Sequence, residues 1–362
     1  MRRKTRQIRV GSVKIGGTAP VSIQSMTKVP TADVKAVVSQ VRRLEKAGCE
    51  IIRFAVKSLE DARAIRVIKR KISIPVVADI HFNYRLALES IKSGADKIRL
   101  NPGNIKNTDE ISAVVKAAKS VRIPIRIGVN SGSVLTGEQR AKGVRRGGGS
   151  SKPSGNRIID NLVSSAGSYI KLFESLDFHD IILSLKASDV VSTVEAYRRI
   201  SGICDYPLHL GVTAAGSADS GIVKSSIGIG ALLLEGIGDT VRVSLTADPV
   251  EEVAGAKRIL EAVGARNFGP EIISCPTCGR CQIDLGDIVR KIEHQLSAIS
   301  HHSLAKNIRI AVMGCEVNGP GEACEADIGF AFGKGSGTLF RRGKVLKKIS
   351  AKNAVSELLK LI

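Results

Sequence analysis

Five of the chain's seven cysteines fall in two short runs, C-P-T-C-G-R-C (Cys275, Cys278, Cys281) and M-G-C-E-V-N-G-P-G-E-A-C (Cys315, Glu322, Cys324). A Cys-x-x-Cys loop turns two thiolates toward one point, and distant ligands close such a site when the intervening chain folds back. The chemistry this predicts is binding of a soft metal. A disulfide framework is disfavoured, because the chain is 362 residues long, carries an odd number of cysteines and shows no secretory segment. Spacing alone leaves zinc and an iron-sulfur cluster both open. Zinc wants four closed ligands, and the second Cys-x-x-Cys of a ribbon is missing, whereas iron-sulfur thiolates can come from widely separated segments. Cys49 and Cys204 sit apart, in apolar or turn-like segments.

The second constellation is cationic. Arg53, Arg99, Arg126, Lys186 and Arg242 each lie in or at the end of a short apolar run, accompanied by Asn130, His209, Thr213 and Ser244, and by Asp79-Ile80-His81. A charge inside an apolar strand must be neutralised. Internal pairing with carboxylates would do so, but acids at these positions are scarce and Asp79 is the clear one. The pattern therefore predicts a polyanion site, in which guanidinium forks grip phosphate or diphosphate oxygens.

The elements that must position these residues alternate. Short β-branched runs at 21–24, 51–55, 76–79, 97–100, 125–129, 181–185, 208–212 and 241–245 are separated by amphipathic stretches such as 33–46, 59–70, 108–119, 165–176 and 190–200. Eight strands, each followed by a helix, predict a (β/α)8 TIM-type barrel, and the cations then fall at the C-terminal strand ends where chemistry collects in that fold. After Asn267-Phe268-Gly269-Pro270 the character changes. A helix at 285–299, a strand at 308–312, a hairpin near 328–340 and a last short helix predict a small α+β domain around the cysteines. The predicted division is thus a substrate-binding barrel over 1–265 and a metal-binding domain over 266–362.

Net charge is the outlier, +21 from 55 Lys and Arg against 34 acids, and it implies anionic company. The basic runs at 1–10, 142–157 and 341–348 read as solvated surface. The Gly/Ser-rich tract 143–156 reads as a surface excursion, with a lid carrying Arg145 and Arg146 as the alternative. A nucleic-acid-binding protein with a zinc module is the rival reading. Against it stand the eight-strand pattern, 3% aromatic residues and no tryptophan for base stacking. A barrel enzyme of another phosphorylated substrate with a purely structural metal is the intermediate one. No run approaches a membrane span and no signal peptide follows the basic start, so a cytoplasmic location is expected.

Taken in order, Q-S-M-T, A-D-I-H-F, R-L-N-P-G-N, L-K-A-S-D, E-G-I-G-D-T-V-R-V-S-L, C-P-T-C-G-R and M-G-C-E-V-N-G-P-G-E-A span nearly the whole chain. This combination resembles the 4-hydroxy-3-methylbut-2-enyl diphosphate synthase family, in its bacterial two-domain form. The resemblance implies a [4Fe-4S] cluster held by Cys275, Cys278, Cys315 and Glu322, with Cys281 and Cys324 as bystanders. It implies reductive ring opening of 2-C-methyl-D-erythritol 2,4-cyclodiphosphate in isoprenoid precursor biosynthesis, with electrons from a reduced flavodoxin or ferredoxin. Arg53, Arg99, Arg126, Asn130, Lys186, Arg242 and Ser244 match the family's substrate contacts. The family also forms head-to-tail homodimers whose active site is shared between chains. One position departs: the family's V-T-E-A-G is here V-T-A-A-G, with Ala214, so either the proton delivery expected of that glutamate falls to another group such as His81 or Thr213, or the chain is a weakened variant with reduced turnover and substrate binding intact.

Overall fold

Residues 2–101, 105, 107–131, 155–213, 216–299, 308–317, 319–334 and 336–362 are described by the computed structural model. The chain forms two units, Met1–Arg266 and Asn267–Ile362. The first opens on an antiparallel hairpin, β1 (Ile8–Val10) and β2 (Val13–Ile15). The basic start of the chain is thus more than solvated surface. Ile8, Val10 and Ile15 are buried with Ile51, Val77 and Ile182, which lie at the N-terminal ends of barrel strands, so the hairpin stoppers the base of the barrel. Burying such aliphatic side chains contributes about 2 kcal/mol each. Arg2 pairs with Asp239 at 2.7 Å, and Arg3 donates to the carbonyls of Ser201, Cys204 and Tyr206.

The barrel strands are β3 (Ser22–Met26), β4 (Ile51–Val56), β5 (Val76–Ile80), β6 (Lys97–Leu100), β7 (Ile125–Asn130), β8 (Ile181–Lys186), β9 (His209–Leu210) and β10 (Thr240–Val241). They pair in parallel in the order β8-β7-β6-β5-β4-β3-β10-β9, and the bridge Leu183↔Leu208 joins the two ends of the sheet. This is the predicted eight-stranded α/β barrel. Around it run α1 (Val34–Ala47), α2 (Leu59–Lys69), α3 (Tyr84–Lys92), α4 (Thr108–Ser120), α5 (Gly155–Ser175), α6 (Val190–Ser201), α7 (Ala218–Leu234) and α8 (Pro249–Ala262). Several start where an Asp, Asn or Ser side chain accepts an otherwise orphaned backbone N–H, as Asp33, Asn83, Asn107, Asp189 and Asp248 do; Ser58 and Asp61 form a capping box. The helix expected at 165–176 starts ten residues earlier, at Gly155. Most of the tract 143–156, with Arg145 and Arg146, lies outside the described residues, as does Ala214.

The second unit is a five-stranded sheet in the order β11 (Glu271–Ser274), β12 (Arg309–Met313), β13 (Ile328–Phe332), β14 (Gly337–Arg341), β15 (Lys344–Ile349), the first three parallel and the rest antiparallel. Alternation divides its faces. Ile310, Val312, Ile328, Phe330 and Phe332 pack on α9 (Leu285–Ile299) and α11 (Ala354–Leu359), while Ala311, Met313 and Ala331 pack with Ala323 of the short α10 (Gly319–Cys324).

Candidate active site

Side chains alternate along a strand, so Lys97 and Arg99 share one face of β6, and the register sets Arg99 between Asp79 of β5 and Arg126 of β7. Burial is deep: 8% of Arg53 is exposed, 4% of Arg99, 1% of Arg126, 7% of Lys186 and none of Lys97. Arg99, Arg126 and Arg242 all act to lower both Arg53 and Lys186, and Arg53 acts on Lys186 as well, which places the five predicted cations around one centre. Of the described acids, Asp79 and Glu252 pair with them. Arg99 Nη1 donates to Asp79 Oδ1 at 2.9 Å, Arg53 Nε lies 3.5 Å from Asp79 Oδ2, and Arg242 Nη2 lies 3.7 Å from Glu252 Oε2.

Cations thus outnumber their acids, and the electrostatics follow. Burial, then Arg242 and Asp79 acting in opposite senses, leaves Arg53 well below the usual guanidinium range. Burial followed by repulsion from Arg99 pushes Arg126 down to about 9. Lys186 and Lys97 are likewise held well below ordinary lysines, first by burial and then by neighbouring arginines. Burial works against the Asp79 carboxylate, but Arg53 and Arg99 outweigh it and hold the group well below its usual range. Among the described residues no partner reaches Arg126 Nε or Nη1, Arg99 Nε or Arg242 Nε. Buried donors without acceptors cost about 1–3 kcal/mol each, and an anion carrying several oxygens would satisfy them together.

The backbone makes room for these heads. A methyl at Gly128 would stand 2.6 Å from Arg99 Nε, and one at Gly211 would stand 2.7 Å from Lys186 Nζ. Glu252, buried on α8, accepts the Leu245 N–H at 3.0 Å and pairs with Lys28 Nζ at 2.9 Å; Lys28 also donates to the Leu245 carbonyl at 2.7 Å. Together they tie the segment that carries Arg242 and Ser244 to the end of β3.

Asn130 lies opposite Lys186 in the β7–β8 register, and Ser244 is half-buried two residues past Arg242. His81 is 44% exposed, with Nε2 3.6 Å from Asp79 Oδ1. Thr213 is half-buried beyond β9. The sequence reading missed Lys97, although the two-residue period from Arg99 could have found it. It also missed the Lys28–Glu252 pair, which no local pattern announces.

In the second unit, β11 and β12 run side by side, Ser274 opposite Val312, so Cys275 and the Gly314-Cys315 segment leave adjacent strand ends. Gly314 N–H donates to Cys275 Sγ at 3.3 Å. Thr277, between Cys275 and Cys278, takes a left-handed φ of 53°, which curls the loop. Cys275 and Cys315 are half-buried; Cys278 and Glu322, the latter in the first turn of α10, are exposed. Cys324 faces the Gly343 carbonyl at 3.7 Å. Among the described residues no three Cys, His, Asp or Glu side chains converge on a point that would hold a single metal ion. The donor set is nevertheless one that soft, thiophilic iron accepts, and an N–H directed at a cysteine sulfur suits a thiolate ligand. No described helix is long and apolar enough to cross a membrane.

Residues 5–257 match the family described as the GcpE TIM-barrel domain, and residues 271–362 match the GcpE protein C-terminal domain. The chain is 52% identical over 362 residues to 4-hydroxy-3-methylbut-2-en-1-yl diphosphate synthase (flavodoxin) of Fusobacterium nucleatum, covering 100% of this chain and 98% of that one. It is 53% identical over 361 residues to the protein of the same name from Clostridium perfringens, covering 100% and 99%. Among solved structures, dihydropteroate synthase from Stenotrophomonas maltophilia superposes with a TM-score of 0.50 at 12% identity over 72% of this chain and 99% of that one, a likeness of fold alone.

Proposed function

The chain belongs to the GcpE family, and from that premise we infer that it makes 4-hydroxy-3-methylbut-2-enyl diphosphate, the product its relatives' names give, from 2-C-methyl-D-erythritol 2,4-cyclodiphosphate. The observation that carries this reading is the excess, among the described residues, of buried cations over acids in the barrel, with guanidinium donors that no described group accepts from. Such a nest suits a compact diphosphate. Arg53, Arg99, Arg126, Lys186 and Arg242 would take its oxygens, and Asn130 and Ser244 its polar edges. Binding would favour the charged forms of Lys186 and Arg126 by supplying a counterion.

The reaction consumes two electrons and two protons and releases one water. A [4Fe-4S] cluster, held by Cys275, Cys278, Cys315 and Glu322, supplies those electrons one at a time when bound. Glu322 is the hardest and most exchangeable of these ligands. In the barrel, the fixed cations stabilise charge on the diphosphate as it becomes a free end, without reorganisation at the moment of reaction. His81 stands beside the Asp79 carboxylate and is exposed enough to exchange protons with solvent, so it is the proton carrier of this reading, with Thr213 the second candidate. Reduced flavodoxin, named in the relatives, is the proposed donor, with ferredoxin the alternative. A homodimer with a shared site completes the proposal.

The test is anaerobic. Protein with about four irons per chain, as cysteine-rich cluster ligation predicts, should convert the cyclodiphosphate when given reduced flavodoxin. Colourless protein holding one zinc would overturn the reading, and sedimentation at working concentration checks the dimer.

A further inference from the structure

The barrel closes between β8 and β9, and side chains of α6 take over from the backbone there. Among the described residues one bridge, Leu183↔Leu208, joins the two strands, and the Leu183 N–H donates to the Pro207 carbonyl at 2.9 Å. Bonds in a parallel ladder recur every two residues, so the next would run from the Leu185 N–H to the His209 carbonyl. The Tyr197 hydroxyl stands in that place: it accepts the Leu185 N–H at 3.3 Å and donates to the His209 carbonyl. One turn earlier on α6, the Thr193 hydroxyl takes the following amide of the series, accepting the Ala187 N–H at 3.2 Å and donating to the Asp189 carbonyl at 2.7 Å. Both side chains are buried, and burial pushes the Tyr197 phenol up to about 12, so its hydroxyl keeps the proton it donates.

The two amides held in this way flank Lys186. Its side chain passes over Gly211, the residue two beyond His209, where a methyl would stand 2.7 Å from Nζ and 3.3 Å from Cε. A hydroxyl set between an N–H and a carbonyl keeps two strands further apart than a direct bond of about 2.9 Å would. We propose that Tyr197 and Thr193 are positioning residues for Lys186: inserted in the seam between β8 and β9, their hydroxyls fix its width and with it the point at which the Lys186 ammonium meets the anion. The inference rests on the diphosphate reading of the cation nest and adds to it two residues of an outer helix. Tyr197→Phe would leave the Leu185 amide and the His209 carbonyl without their link, so the strands either stay apart around two unpaired groups or close into a direct bond. Either way the backbone under Lys186 moves.

The experiment is calorimetric titration of the full-length protein with inorganic pyrophosphate, for Tyr197→Phe, Thr193→Val and Thr193→Ser, each alone and combined with Lys186→Met. Tyr197→Phe should weaken binding about tenfold and Thr193→Val about threefold, the scale of one misplaced charged contact, while Thr193→Ser, which keeps the hydroxyl, should bind as wild type does. In the Lys186→Met background the same changes should cost less than about twofold, because residues that act through one group are not additive with its removal. General loosening of the fold would carry the same factor into both backgrounds. That result, or unchanged affinity in both Tyr197→Phe and Thr193→Val, overturns the proposal. Circular dichroism identifies a Tyr197→Phe chain that fails to fold, and the Thr193 pair then decides alone. Wild type that does not bind pyrophosphate, or Lys186→Met that binds it equally well, overturns the diphosphate reading instead.

Discussion

The barrel nest and the cysteine edge solve opposite problems. In the barrel the charged groups are buried before any ligand arrives, and their geometry is fixed by eight strands, by glycines that clear space and by the Lys28–Glu252 tie. In the second unit the donors sit half-buried or exposed on a turn, a strand end and a short helix. A hard anion is held best by pre-set donors in low dielectric, whereas metal–thiolate bonds are strong enough to draw flexible ligands into place. Rigidity is thus concentrated where the individual interactions are weaker.

Mutation should expose this contrast. The largest effect is expected from Cys275→Ser, which should remove iron, colour and turnover while binding of inorganic pyrophosphate to the barrel, followed by calorimetry, stays within about twofold. Asp79→Asn should cost about 3–4 kcal/mol of stability, because it strands Arg53 and Arg99 as uncompensated buried charges; added pyrophosphate should restore part of that loss in a thermal melt. Arg126→Met should weaken substrate binding about 100-fold, close to 3 kcal/mol, yet leave the melting temperature unchanged or raised, since it removes a buried cation that no carboxylate among the described residues pairs with. A fall in both would mean that Arg126 is structural.

Titration sharpens the contrast further. Lys97 and Lys186 are held below the ordinary lysine value of 10.5, so between their lowered values and 10.5 the unfolded chain binds more protons than the folded one. Stability of the ligand-free protein should therefore rise with pH across that window, and Lys97→Met with Lys186→Met should flatten the rise in urea melts. Asp79 acts in the acid range. Its contribution is present above the ordinary carboxylate value and is lost as pH falls through its depressed one. Glu252→Gln should have the smallest effect, about 1 kcal/mol, seen as a few-fold rise in KM with kcat little changed, because the amide still accepts the Leu245 N–H while Arg242 and Lys28 lose their counterion.

Much of this was legible in the sequence because parallel barrel strands announce themselves as apolar runs, and a cation inside such a run is conspicuous. Arg53, Arg99, Arg126, Lys186 and Arg242 converge for that reason. The hairpin was hidden because Ile8, Val10 and Ile15 are interleaved with basic residues, and three short aliphatic positions carry little periodic signal. The last two strands were expected at five residues each and pair over only two, at His209–Leu210 and Thr240–Val241. The Arg242 N–H still donates to the Leu210 carbonyl at 3.0 Å, but beyond it the Leu245 amide and carbonyl are taken by Glu252 and Lys28, so side chains replace the ladder next to Ser244. Such long-range substitution leaves no local trace.

The hairpin stopper carries a kinetic consequence. With Ile8, Val10 and Ile15 packed into the base of the barrel, the cation nest is a cul-de-sac served from its open end. Product must retreat through the doorway by which substrate came, so the two cannot queue. Product inhibition should be competitive with substrate, and a phosphate buffer should compete for the same entrance and slow arrivals.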